Sequence, residues 1–188
     1  MARWQPDARA RLAGAALDLY LERGFEQTTV SDIAERAGVT ERTFFRHFAD
    51  KREVLFDGTD SLQRGVLESI STAAVDARPL DVAGDALIVG SAFLEERGEF
   101  AGRRSRAIAA NPELMERELL KMARLGSSIA AALVERGTPA ASARLAAEAA
   151  VSAFGAGFER WAGDEPSAGL AACIRDALAD LRSVVTGS

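Results

Sequence analysis

Four polar side chains stand close together early in the chain, Glu41, Arg42, Thr43 and Arg46, directly after Thr40, a residue suited to start a helix. They contain no nucleophile and base at a useful spacing. Their chemistry is hydrogen bonding to an ordered row of donors and acceptors, and the base edges of DNA present such a row. A helix that only packs has no use for so many polar fingers beside its cap.

The elements that must position them are two short helices joined by a turn, within Val30–Phe48. Ile33, Ala34, Ala37, Val39, Phe44 and Phe48 are mostly three to five residues apart, so the two helices can share one buried face. Ala34 is small where they would cross. Gly38 can take a positive φ and end the first helix. The Thr40 hydroxyl can cap the second. A third helix must lie beneath them. Leu12, Ala16, Leu19 and Tyr20 predict it from about Asp7 to Arg23, ended by Gly24, with Phe25 tucked into the small core. Thr29 is the expected cap of the second helix.

Composition narrows the rest. The apolar share of 48% can build a core, and the 27% charged share is ordinary for a soluble chain. A single cysteine, Cys173, excludes an internal disulfide, and with a single histidine, His47, no zinc cluster or catalytic set is expected. We therefore expect no cofactor, no metal site and no enzyme. No apolar run is long enough to cross a bilayer and no signal peptide is read at the N-terminus, so a cytoplasmic protein with no membrane partner is expected. The net charge of −5 lies wholly beyond residue 56, because residues 1–56 hold nine basic and nine acidic side chains. A small local positive excess remains between Thr40 and Arg52, which suits phosphate contact.

Helical spacing continues to the C-terminus, giving an all-α chain of about nine helices. Asp50 should cap a fourth helix that runs unbroken from Lys51 to about Val75 as a lever. The others are expected at about 81–96, 99–110, 112–136, 140–161 and 167–185. Domains are placed at residues 1–50, a three-helix helix-turn-helix unit, and 51–188, a helical ligand-binding and dimerisation unit.

Residues 8–56 then resemble a known family. The order helix, Gly24-Phe25, Thr28-Thr29-Val30, Ile33-Ala34-x-x-Ala37-Gly38-Val39, Thr40-x-x-Thr43-Phe44-Phe45-x-His47-Phe48 and Lys51 is similar to the N-terminal domain of TetR-family transcriptional regulators. Beyond it only the helical layout and the Asn111-Pro112-Glu113-Leu114 stretch are similar. The resemblance implies that the helix from Thr40 to His47 enters the major groove of double-stranded operator DNA. Glu41, Arg42 and Thr43 would face base edges. Arg42 is suited to guanine O6/N7, Glu41 to cytosine N4 and Thr43 to a thymine methyl. Thr29, Thr40, His47 and Lys51 match positions that hold phosphates. Phe45 departs from the family, which often has Tyr there. It cannot donate to a phosphate and is assigned instead to a thymine methyl or sugar. Arg3 could reach a minor groove from an N-terminal arm that also carries Trp4 and Pro6.

One reading helix covers few base pairs, so a homodimer is expected, with its two reading helices about one DNA turn apart. Its interface is assigned to the last two helices, through Ala149, Ala153, Ala156, Phe158, Trp161, Ile174, Leu178 and Leu181. The resemblance implies an inducer pocket in the C-terminal half, and Phe93, Phe100, Arg106, Met115, Met122 and Phe154 are the candidate lining. Arg103, Arg104 and Arg106 offer charge to an anionic end of an apolar or amphipathic effector, for which an acyl thioester is one guess. The expected function is a ligand-responsive repressor released from a palindromic operator. The alternative is an architectural or constitutive DNA-binding protein without a ligand.

Overall fold

The computed structural model describes residues 7–163 and 168–187. Arg3, Trp4 and Pro6, and Ser167 at the expected start of the last helix, lie outside the described residues. Among the described residues the regular structure is helical, with no strand. The helices are α1 (Ala8–Arg23), α2 (Val30–Arg36), α3 (Glu41–His47), α4 (Thr59–Thr72), α5 (Pro79–Gly90), the single turn α6 (Ala92–Glu95), α7 (Gly98–Ala109), α8 (Pro112–Glu135), α9 (Ala140–Ala162) and α10 (Leu170–Thr186). A 3₁₀ turn, Glu53–Phe56, precedes α4.

The chain forms two compact units. The first is Met1–Asp57 with Arg103–Glu118, and the second is Gly58–Gly102 with Leu119–Ser188. The first therefore runs past residue 50 and takes in a segment from the middle of the chain.

In the first unit, α1 buries Leu12, Ala16, Leu17, Leu19 and Tyr20. Gly24 ends it at φ 89°, its N–H donating to the Tyr20 carbonyl oxygen. Phe25 then folds back edge-on to Tyr20, with ring centres 5.2 Å apart. Thr28 is buried, and its hydroxyl donates to the Gly24 carbonyl oxygen at 2.8 Å. That bond closes the connection to α2 without leaving a polar group unsatisfied.

The expected unbroken fourth helix is not observed. Asp50 does cap the chain after α3, accepting from the Arg52 and Glu53 amides at 2.8 and 3.2 Å. What it caps is a 3₁₀ turn, and α4 starts only at Thr59. The reason is burial: Val54, Leu55 and Phe56 are three consecutive core residues. A single α-helical stripe cannot bury three neighbours, whereas at about three residues per turn they point in three directions into surrounding core.

In the second unit, Leu62, Val66 and Ile70 of α4, Val82 and Leu87 of α5, and Leu125, Ile129 and Leu133 of α8 share one core with Phe154 of α9 and Ile174 and Leu178 of α10. Glycine sets the closest approaches. A Cβ at Gly157 would stand 2.7 Å from the Ile174 Cα, and one at Gly65 would stand 3.1 Å from the Gly90 Cα. Arg136 closes the end of α4, donating to the carbonyl oxygens of Ile70, Ala73 and Ala74 at 3.0, 3.1 and 2.6 Å. These carbonyls have no partner within their own helix.

Candidate DNA interface

The site is built from its caps outward. Thr29 and Asp32 form a reciprocal capping box at the start of α2, in which each side chain receives the other's backbone N–H. Gly38 takes φ 67°, and the Val39 amide returns to the Ala34 carbonyl oxygen at 2.9 Å. Thr40 then caps α3, its hydroxyl accepting from the Thr43 amide at 3.2 Å. Phe44 is wholly buried and stacks on Phe48 with ring centres 5.7 Å apart. This pair pins the inner face of α3, so the opposite face turns to solvent.

That outer face carries the expected readers. Glu41, Arg42, Phe45 and Arg46 are exposed and repeat at four-residue steps, while Thr43 is half-buried beside Thr40, their hydroxyls 3.1 Å apart. Phe45 is 56% exposed and rests edge-on against Phe44. Asp50 pairs with Arg52, at 2.9 and 3.2 Å, and not with Arg42. Partial burial works to raise the Asp50 pKa, but the hydrogen bonds from the Arg52 side chain and from the Arg52 and Glu53 amides outweigh it and hold the carboxyl below its usual range.

The four residues assigned to phosphates are differently placed. The Thr29 hydroxyl donates to the Asp32 carboxylate at 2.6 Å, and this bond is the first cause of the lowered Asp32 pKa, ahead of the Thr29 amide and the charge of Arg23. A phosphate would have to take that proton from Asp32. The Thr40 hydroxyl is exposed at the start of α3. His47 is half-buried in the last turn, and its Nε2 is enclosed without a hydrogen-bond partner among the described residues. Only Nδ1 could then serve a phosphate. The Lys51 ammonium donates to the carbonyl oxygens of Phe25 and Thr28 at 2.9 and 3.0 Å and lies 4.2 Å from the Phe25 ring centre. One of its three donors remains for DNA.

The expectations for the C-terminal half need correction in part. Ile174 and Leu178 are 0% and 3% exposed within their own chain, and Ala153 is buried with them. They form the core between α5, α9 and α10 and are closed to a partner. Ala156 is exposed, and Ala149, Phe158, Trp161 and Leu181 are half-buried. Of the expected pocket residues, Phe154 is in the core of the second unit, with Phe93 and Met122 packed against it. Phe100 is half-buried, and Met115 and Arg106 are exposed. A cavity of about 270 Å³ in the second unit is lined instead by Ile88, Val89, Ser91, Ala92, Glu95, Leu170 and Ala171. Arg103 and Arg104 do not offer charge to a ligand: they pair with Asp18 and Glu118 inside the first unit. Sequence reasoning missed those two acceptors, because nothing in the spacing links residue 18 to residue 103.

No helix of the described residues is long and apolar enough to cross a membrane, and among them no group of three or more His, Cys, Asp and Glu residues could hold a metal ion.

A capped, glycine-turned pair of short helices on a third helix, followed by a second helical unit, defines a helix-turn-helix regulator. Residues 12–57 match the family of bacterial regulatory proteins of the tetR type, and the chain belongs to the TetR family of DNA-binding transcriptional regulators. Within it, residues 77–186, more than half of the chain, match the MftR C-terminal domain. The transcriptional regulator TcmR of Streptomyces glaucescens is 40% identical over 72 residues, 38% of this chain and 32% of TcmR. The regulator MftR of Mycobacterium tuberculosis is 31% identical over 106 residues, 55% of this chain and 52% of MftR. The matched stretch thus spans a third to a half of these relatives. Among solved structures, the Thermus thermophilus repressor FadR, in complex with lauroyl-CoA, is 25% identical, with a TM-score of 0.54 over 93% of each chain.

Proposed function

We propose that the protein is a cytoplasmic homodimeric repressor that leaves a two-fold symmetric operator when a small apolar or amphipathic molecule binds its C-terminal half, and that it catalyses no reaction. The observation that carries this reading is the outer face of α3, where Glu41, Arg42, Phe45 and Arg46 stand exposed on a helix pinned by Phe44 and Phe48. Arg42 reads a guanine, Glu41 a cytosine amino group, and Thr43 and Phe45 thymine methyls. Thr40, Nδ1 of His47, the third donor of Lys51 and, by rotation away from Asp32, Thr29 hold phosphates and set the register.

Pairing uses the outer faces of α9 and α10, with Ala149, Ala156, Phe158, Trp161 and Leu181 contributing and Ala153, Ile174 and Leu178 supporting them from behind. The effector class rests on the apolar C-terminal composition and on the acyl-CoA ligand of the FadR relative. The cavity of about 270 Å³ is below the roughly 300–1,000 Å³ usual for drug-sized ligands, so an acyl thioester would require it to open.

The test is selection of bound fragments from random duplex DNA by the purified protein, followed by titration of the selected site with acyl-CoA esters. A palindromic site released by an acyl-CoA supports the whole reading. Enrichment of no sequence overturns it. A site that no ester releases, with no thermal shift across metabolite classes, leaves a regulator without a ligand.

A further inference from the structure

The first compact unit is discontinuous in sequence: Met1–Asp57 is completed by Arg103–Glu118. The joint between the two segments is built around Arg104. Its Nε donates to the Leu55 carbonyl oxygen at 2.5 Å, and its Nη1 and Nη2 reach the two Glu118 carboxylate oxygens at 3.3 and 2.7 Å. The guanidinium carbon lies 4.9 Å from the centre of the Phe56 ring. The side chain is 17% exposed. A planar fork held by a carboxylate, a backbone carbonyl and an aromatic face has little freedom left.

Everything it grips belongs to the turn that follows α3. Carbonyls at the end of so short a helical turn commonly lack an internal partner, and Arg104 supplies one. The neighbours act in the same place: Arg117 pairs with Glu53 at the start of the turn, and Arg103 pairs with Asp18 of α1. Ala107, Ile108 and Leu114 bury the apolar side of the segment. The turn bears Val54, Leu55 and Phe56 in the core and begins only a few residues after Phe48, which anchors α3.

We propose that Arg104 is a positioning residue for DNA recognition: it fixes the 53–57 turn, and through that turn the seating of α3, so that the DNA-reading unit includes residues 103–118. This rests on the reading that α3 binds DNA. Arg104 touches no base or phosphate. Its charge is engaged by Glu118, so its effect on binding is conveyed by geometry.

The experiment uses the full chain and the site it selects from random DNA. Arg104→Met keeps much of the apolar stem and removes the polar fork. Operator affinity should fall by about tenfold or more, the scale of a lost charge-assisted hydrogen bond. The slope of log affinity against log salt should stay as in the parent, and amides of residues 53–57 should exchange hydrogen faster. Arg104→Lys, which keeps a single donor, should recover part of the affinity. A parental affinity in Arg104→Met overturns the proposal, as does a slope reduced by one phosphate's share, which would place Arg104 on the DNA itself. If Arg104→Met does not fold, Glu118→Gln is measured: a smaller loss with faster exchange at 53–57 is expected, and no change in either overturns the proposal. If the parent enriches no sequence, both the DNA reading and this proposal fall. If it enriches one and the variants bind it equally well, only this proposal falls.

Discussion

The Tyr20 hydroxyl donates to the Lys51 carbonyl oxygen at 2.5 Å, tying the end of α1 to the residue that follows α3 and its cap. Burial first, and the nearby charge of Asp50 second, push the phenol pKa far above its usual value, so it stays a donor at any working pH. The same Lys51 reaches back through its ammonium to Phe25 and Thr28. Residue 51 therefore clasps the α1–α2 connection from both its backbone and its side chain.

That double role separates two effects in one variant. Lys51→Met should lower the melting temperature, since the Phe25 and Thr28 carbonyls lose a charged donor. It should also reduce the slope of log operator affinity against log salt by about 0.9, the share of one phosphate. A lowered melting temperature with the parental slope would make Lys51 a structural residue alone.

Arg42 stands on the open face of α3 with no ion pair among the described residues, so its removal disturbs little else. Arg42→Ala should cost about 1–3 kcal/mol of operator binding and relax the preference at one base pair, with the melting temperature unchanged. Repeating the random-DNA selection with the variant checks this. An unaltered selected site would remove Arg42 from base reading.

Gly157 marks the tightest helix contact of the second unit, with the Ile174 backbone where a Cβ would go. Gly157→Ala must push α9 and α10 apart, since backbone atoms cannot yield as a flexible side chain can. A loss of about 1–3 kcal/mol in urea unfolding is expected. Gly155→Ala, with open space around its Cβ position, should be close to neutral or mildly stabilising and serves as the control.

Asp81 of α5 accepts from Arg182 of α10 at 2.7 Å and from Arg78 at 2.8 Å. Partial burial works to raise its pKa, but the hydrogen bonds and charges of Arg182 and Arg78 outweigh that and hold it below the usual aspartate range. A carboxyl lowered on folding stabilises fully above its unfolded pKa and loses that contribution as pH falls through the folded one. The difference in urea midpoint between the parent and Asp81→Asn should therefore be constant near neutral pH and shrink on acidification below the aspartate range. A difference that does not change with pH would remove the charge from the interaction.

Much of the reading unit was legible because its signals are local. Thr29, Gly38 and Thr40 act on amides or dihedrals within a few residues of themselves, and the Phe44 and Phe48 spacing assigns one face of a short helix to the core. The break between Phe56 and Thr59 was not legible. The run of apolar residues from Val54 to Ala73 fits a helix throughout, and only the core around the turn makes three consecutive buried side chains affordable. The paired use of Arg103 and Arg104 was hidden for a related reason, since their acceptors Asp18 and Glu118 and the Leu55 carbonyl come together only in the folded chain.

The stripe Ile174, Leu178, Leu181 shows how far pattern alone reaches. Its period says that one face of α10 is covered, and hydrophobicity has no direction beyond that. Whether the cover is a second copy or the protein's own α5 and α9 depends on where those helices lie, and the fold places Ile174 and Leu178 against its own chain. Helix type, caps and the polar outer face of α3 follow from interactions over one or two turns and are written in residue order. The partner of each buried face, the membership of residues 103–118 in the first unit and the grip of Arg104 on Leu55 arise from contacts between distant segments, which close only when the whole chain has packed.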